Sequence, residues 1–192
     1  EEWMVIATPF DRDGYFYFNS KVNCMSAEGS FSLNGRECPF NKEDSMGTLD
    51  WGRGVWTYDN TWFWGSGNGV VEGKPFGFNI GYGFGDTSAA TENMLFYNGI
   101  AHKLEHVLFE MPKNTSGSDD FMKPWRIRDN NGRLDLTFEP MIDRADCTSV
   151  LVIESDQHQV FGRFTGKAVL DDGRVIEVKD FPGFAEKVEN KW

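Results

Sequence analysis

The sequence predicts an all-β protein built from antiparallel strands. Three observations carry this. Aromatic residues make up 15% of the chain and glycines number 21, a pairing that suits sheets and tight turns better than a helix bundle. Asn-Gly and Asp-Gly turns recur between apolar runs, the strongest short hairpin signal. The runs between them are rich in β-branched and aromatic side chains, and several alternate with period two, as Leu134, Leu136 and Phe138 do. A chain of 192 residues suits one domain that buries its own core. Pattern alone leaves barrel and sandwich open.

The elements follow in order. "EWMVIATPF" opens the chain as a strand-like run, and "DRDG" (11–14) turns it into "GYFYFN". "SFSL" ends at the turn "LNGRE" (33–37), and "NKEDS" (41–45) is a candidate for one turn of helix. "NTWFWGSGNG" and "KPFGFNIGYGFGD" (74–86) flank "EGK" (72–74) and are expected to pair as a hairpin. "DTSAATEN" (86–93) is a second candidate helical turn. "NMLFY", the turn "YNG" (97–99) and the strand "HKLEHVLFE" follow, then the polar loop "PKNTSGSDD" (112–120). "LDLTFEP", "SVLVIES" and "VFGRFTGKAVL" are read as strands, with turns at "DNNGR" (129–133) and "LDDGR" (170–174). No stretch has the period of a long amphipathic helix.

Four of the seven tryptophans, Trp51, Trp56, Trp62 and Trp64, fall within "DWGRGVWTYDNTWFWGSGNG" (50–69). Such crowding marks either the centre of a core or the lining of a site. Trp62 and Trp64 share one face of a strand. In 74–86 the alternation is strict: Phe76, Phe78, Ile80, Tyr82 and Phe84 on one face, Gly77, Asn79, Gly81, Gly83 and Gly85 on the other. The bare face leaves room for a ligand, or else it lets tryptophan rings pack on backbone. Asp50 and Arg53 precede the cluster, and Asp86 follows the glycine strand at the same end of the hairpin. A carboxylate pair with a guanidinium is the minimum for acid–base work; the structural alternative is an Asp–Arg pair with a cap at Asp86 or Thr87. Asp50 and Arg53 point to opposite faces of an extended strand, so their convergence requires a turn at Gly52–Gly54.

His158 lies between two glutamines, where it serves a pocket or merely ends a strand. His102 and His106 have helical metal spacing inside a strand-like run, so no metal site is expected. No phosphate loop, dinucleotide fingerprint or nucleophile elbow is present, and no cofactor is expected.

The formal net charge of −11, spread without a block, argues against nucleic acid and anionic membranes as partners. No apolar run is long enough to span a bilayer. Cys24, Cys38 and Cys147 form an odd set without motif spacing, read as free thiols of a reducing, cytoplasmic compartment; a Cys24–Cys38 bridge across a hairpin is the alternative. Asn114-Thr115-Ser116 is a glycosylation sequon that matters only outside the cell.

Three long motifs in order, "EDSMGTLDWGRGVWTYDNTWFWGSGNG", "GKPFGFNIGYGFGDTSAATENMLFYNGIAHKLEHV" and "SDQHQVFGRFTGKAVLDDGRVIEVKDFPGFAEKVENKW", resemble the family known as domain of unknown function 2804 across nearly the whole chain. The likeness is to that family's carboxyl-terminal part, which implies one calycin-like domain over 1–192 and a longer parent protein. "LDWGRGVW", "NTWFWGSGNG" and "DDGRVIEVKDFPGFAEK" are also similar, more distantly, to lipocalin-like double-calycin proteins related to carotenoid 1,2-hydratase. In that likeness Asp50 and Trp51 match a first motif, Trp62 and Trp64 a second, Gly183 and Glu186 a third. Arg53 and Gly54 depart from it, standing where an acidic residue precedes tryptophan in those relatives. The resemblance implies a barrel with an apolar cavity.

The leading expectation is a barrel that binds a hydrophobic, isoprenoid-like small molecule, with Trp51, Trp56, Trp62, Trp64, Asn79, Tyr82, Asp86 and His158 lining the site. A hydratase- or cyclase-like version uses Asp50 as acid–base and Arg53 to orient, with tryptophan faces stabilising a cation. Carbohydrate binding or processing is the second reading. The third is a structural domain whose partner is its own amino-terminal portion.

Overall fold

The computed structural model describes all of residues 1–192. Fourteen strands and no helix are present: β1 Met4–Pro9, β2 Phe16–Ser26, β3 Gly29–Leu33, β4 Arg36–Phe40, β5 Met46–Val55, β6 Asp59–Val71, β7 Lys74–Tyr82, β8 Met94–Tyr97, β9 Ile100–Lys103, β10 Val107–Glu110, β11 Trp125–Asp129, β12 Leu134–Val150, β13 Ile153–Val169 and β14 Val175–Lys191. Nine of them form one antiparallel sheet in the order β10-β11-β12-β13-β14-β6-β7-β8-β9, curled into a half-barrel. A second sheet, β1-β2-β5, and the hairpin β3-β4 complete the fold. The all-β antiparallel expectation holds, while neither 41–45 nor 86–93 is helical.

The predicted turns do the folding work. At Asn34–Gly35, Glu72–Gly73 and Asn98–Gly99 both residues have positive φ, the two-residue geometry that matches the right-handed twist of the flanking strands. The Glu72–Gly73 turn sets Trp64 opposite Gly81 in the β6–β7 pair, so the expected hairpin forms. Two expected strands are broken. "HKLEHVLFE" divides into β9 and β10 at Leu104–His106, and "SVLVIES" is the tip of the β12–β13 hairpin, turning at Leu151 with φ 56°.

The concave interior of the large sheet is a solid core. Phe76, Phe78 and Ile80 of β7 meet Leu136 and Phe138 of β12, Phe164 of β13 and Phe181 of β14, and all are buried. On β6 the residues facing these rings are Gly65, Gly67 and Gly69. A Cβ at Gly67 would lie 2.9 Å from the Phe78 ring, and one at Gly69 2.8 Å from the Phe181 ring. Aromatic side chains therefore occupy the space a barrel ligand would need. The expected cavity is not inside the curl.

It lies on the other side of the wall. The outward face of β6, β7 and β14 carries Trp62, Trp64, Ser66, Gly77, Asn79, Gly81 and Glu186, and β2 crosses over it. The face of β2 turned toward this wall is polar: Asn19, Lys21 and Asn23 are buried, while Phe16 on its opposite face is 42% exposed. Polar contacts join the sheets. Asn23 Nδ2 donates to Ser66 Oγ (2.9 Å), Asn68 Oδ1 (3.0 Å) and the Phe78 carbonyl (3.1 Å).

Candidate functional site

Between the two sheets is a cavity of about 220 Å³. Six aromatic rings line it: Tyr17 from β2, Trp56 from the β5–β6 link, Trp62 and Trp64 from β6, Phe84 after β7, and Trp192. Phe84 does not stay on the core face with Phe76 and Phe78, as strict alternation predicts. Gly83 leaves the strand at φ +98°, where an L side chain is strained, and this turns Phe84 over into the site. There it meets Tyr17 (ring centroids 4.9 Å), Trp62 (5.3 Å) and Trp56 (5.8 Å), mostly edge to face.

The charged groups include a buried ammonium and a carboxylate that solvent reaches. Lys21 and Asp50 are directly opposed in the β2–β5 register, with Nζ 2.7 Å from Oδ2. Lys21 Nζ also lies 3.8 Å from the centre of the Trp64 ring and 4.0 Å from Glu92 Oε2. Glu92 accepts from Asn19 Nδ2 (3.2 Å) and Asn79 Nδ2 (3.2 Å). Asn79 in turn accepts the Trp64 indole N–H at 2.7 Å. Glu186 takes the Trp62 indole N–H at 3.0 Å and Gln159 Nε2 at 2.9 Å. Burial pushes the Glu186 carboxyl above its ordinary value, outweighing those two hydrogen bonds and the Lys21 charge, which act the other way. The Tyr17 hydroxyl is pushed up by burial first, then by the charges of Asp50 and Glu92. Three carboxyl groups and one ammonium thus line the cavity.

Several sequence-predicted residues converge here: Asp50, Trp56, Trp62 and Trp64 line the cavity, and Asn79 sits behind it. The rest do not join them. Arg53 lies on the opposite face of β5, opposite Phe18 and exposed. β5 runs extended through Gly52 and Gly54, so the turn needed to bring Arg53 to Asp50 is absent. The glycines have another cause: a Cβ at Gly52 would collide with the Tyr17 ring. Trp51 shares Arg53's face, packs on Phe18 at 6.1 Å and is 48% exposed. Tyr82 points the other way, stacked on Phe63 (4.7 Å) beside Phe109. Asp86 is exposed and accepts the Ser88 N–H. His158 occupies a separate depression, stacked on Phe121 at 3.7 Å with Nδ1 2.7 Å from Asp143.

Lys21, Asn19, Tyr17 and Trp192 had no signal in the sequence reading. Glu92 and Phe84 were visible but placed elsewhere. Glu186 was reached only through the resemblance; of its six matched residues Asp50, Trp62, Trp64 and Glu186 line this cavity, and Trp51 and Gly183 do not. The three cysteines are unbridged, and burial pushes the Cys24 thiol up to about 12.

Residues 1–192 match the family described as "Domain of unknown function (DUF2804)". No curated protein and no solved structure matches the chain. No helix is long and apolar enough to cross a membrane.

Proposed function

The chain belongs to the DUF2804 family, whose function is unknown, and from the site itself we propose that the domain binds a small, mainly apolar, isoprenoid-like molecule between its two sheets. One observation carries the reading: six aromatic rings converge on a cavity, and polar side chains between them, Asn79 behind Trp64 and Glu186 beside Trp62, take the indole N–H groups. Apolar walls supply affinity, and convergent polar groups fix orientation. The core cannot serve, because it is filled.

A catalytic version is favoured by Glu186. A carboxyl whose proton burial holds more tightly than usual is a proton donor beside aromatic side chains. Its proton adds to a carbon–carbon double bond, the π electrons form the new C–H bond, and the cation left behind faces the tryptophan rings. Water then adds to that cation and releases a proton. Arg53 has no part in this version, and Asp50 serves Lys21.

The test is a titration of tryptophan emission with geraniol, an isoprenoid alcohol, in the parent protein and two variants. Trp62→Ala is expected to lose binding, while Trp51→Ala, on the outer face, retains it. Equal binding by both variants, or no binding by the parent, overturns the reading. Mass spectrometry of an organic extract of the purified protein identifies any molecule it already carries.

A further inference from the structure

We propose that the pocket selects ligands bearing a positively charged organic group, an amine or quaternary ammonium, on an otherwise apolar body. This rests on the reading of the cavity as a small-molecule site and adds the charge that its occupant carries.

The first argument is charge. Asp50, Glu92 and Glu186 line the cavity, and Lys21 is the only basic residue that does. Lys21 is already committed. Its ammonium is 2.7 Å from Asp50 and its side chain is 5% exposed, so it cannot reach a ligand as a free cation. Glu92 is held mainly by neutral amides, Asn19 and Asn79, with Lys21 at the outer limit of an ion pair. Amide dipoles orient a carboxylate without cancelling its charge. With Glu186 protonated the lining carries one net negative charge, and with Glu186 ionised two. An anionic ligand meets repulsion there. A cation meets attraction in a partly desolvated setting, where charge interactions are least screened.

The second argument is the walls. Ring faces carry the negative end of an aromatic quadrupole, and a cation within about 6 Å of a ring centre is attracted to it. Lys21 over Trp64 at 3.8 Å shows one of these walls already holding a cation. Tyr17, Trp56, Trp62, Phe84 and Trp192 line the remaining space. Burial chiefly raises the Tyr17 pKa, and the smaller further rise from the Asp50 and Glu92 charges agrees with a negative potential at this wall.

The experiment compares choline with its carbon isostere 3,3-dimethylbutan-1-ol, which has the same shape without the charge. Binding to the 1–192 chain is followed by calorimetry and tryptophan emission. Choline is expected to bind about tenfold more tightly, within the range that a desolvated ring–cation contact gives. Glu92→Gln is expected to shrink that ratio to a few-fold, and Trp56→Leu, which keeps apolar bulk but removes a ring face, to shrink it too. Trp56 is half-buried and free of the hydrogen-bond network, so its variant reports even where Glu92→Gln fails to fold. Equal or tighter binding of the neutral isostere overturns the charge inference and leaves the pocket standing. So does binding of geraniol alone. If none of the three probes binds, the pocket reading itself fails.

Discussion

Removing the Asp50 carboxylate should cost more than removing its partner, because the two ends of the Lys21–Asp50 pair differ in exposure. The Lys21 side chain is 5% exposed and that of Asp50 is 35% exposed. Asp50→Ala leaves a buried ammonium whose nearest remaining carboxylate, Glu92, is 4.0 Å away. Stranding a fully buried charge costs about 3–5 kcal/mol; with Glu92 and the Trp64 face still beside Lys21, about 2–3 kcal/mol is expected. Lys21→Met leaves a carboxylate that water reaches, and methionine keeps apolar contact with Trp64, so the loss is about 1 kcal/mol. The double variant should sit close to Lys21→Met alone, so the coupling is about 2–3 kcal/mol, the whole of the Asp50→Ala loss. For a domain of this size Asp50→Ala then lowers Tm by about 4–12 °C. Arg53→Ala, exposed on the other face, should change stability by less than about 0.5 kcal/mol and add to Asp50→Ala without coupling. Urea and thermal denaturation of the parent and the five variants decide it. Zero coupling between Asp50 and Lys21, or a Lys21→Met loss equal to that of Asp50→Ala, refutes the burial argument. Coupling between Asp50 and Arg53 would mean that β5 bends at its glycines after all.

Two further outcomes follow from the same wall. Gly81→Leu places a Cβ 2.8 Å from the Phe63 carbonyl oxygen and 2.9 Å from Glu92 Oε1, so a loss of about 1–3 kcal/mol is expected, far above that of the exposed control Thr137→Leu in the same melts. Glu186 binds its proton more tightly folded than unfolded; its penalty is absent below the ordinary value of 4.5 and grows as pH rises through the raised one. Parent stability minus Glu186→Gln stability, from urea denaturation across mildly acidic pH, should therefore fall as pH rises; a flat difference would mean that burial does not dominate at Glu186.

The fold was legible where local chemistry decided it. Asn34–Gly35 and Asn98–Gly99 announce hairpins, and the Phe76/Phe78/Ile80 alternation announces the core face of β7. The tip of β12–β13 was not legible, because Leu151 and Val152 turn without glycine or asparagine where strand propensity reads through. The site was half legible. Trp62 and Trp64 share a face by period alone, but Lys21 was hidden by an inverted strand. β2 buries Asn19, Lys21 and Asn23 and exposes Phe16, against the rule that puts aromatics inward. Only partners such as Ser66, Asn68 and Glu92 for the two amides and Asp50 for Lys21 make that inversion stable, and those residues are distant in sequence.

That inversion also explains why the cavity persists. Apolar rings facing one another across a dry gap gain dispersion energy by closing it, and interiors normally do close. Here the rings are pinned by directional bonds at their edges. The Trp62 N–H is held by Glu186, the Trp64 N–H by Asn79, and the Trp64 face is covered by Lys21. Moving either indole into the space would leave a buried donor or charge unpaired, at about 1–3 kcal/mol each. The buried polar network is therefore not an incidental lining of the pocket. It holds Trp62 and Trp64 in place beside the Phe84 cluster, and the charge it needs for that task sets which molecules the space can hold.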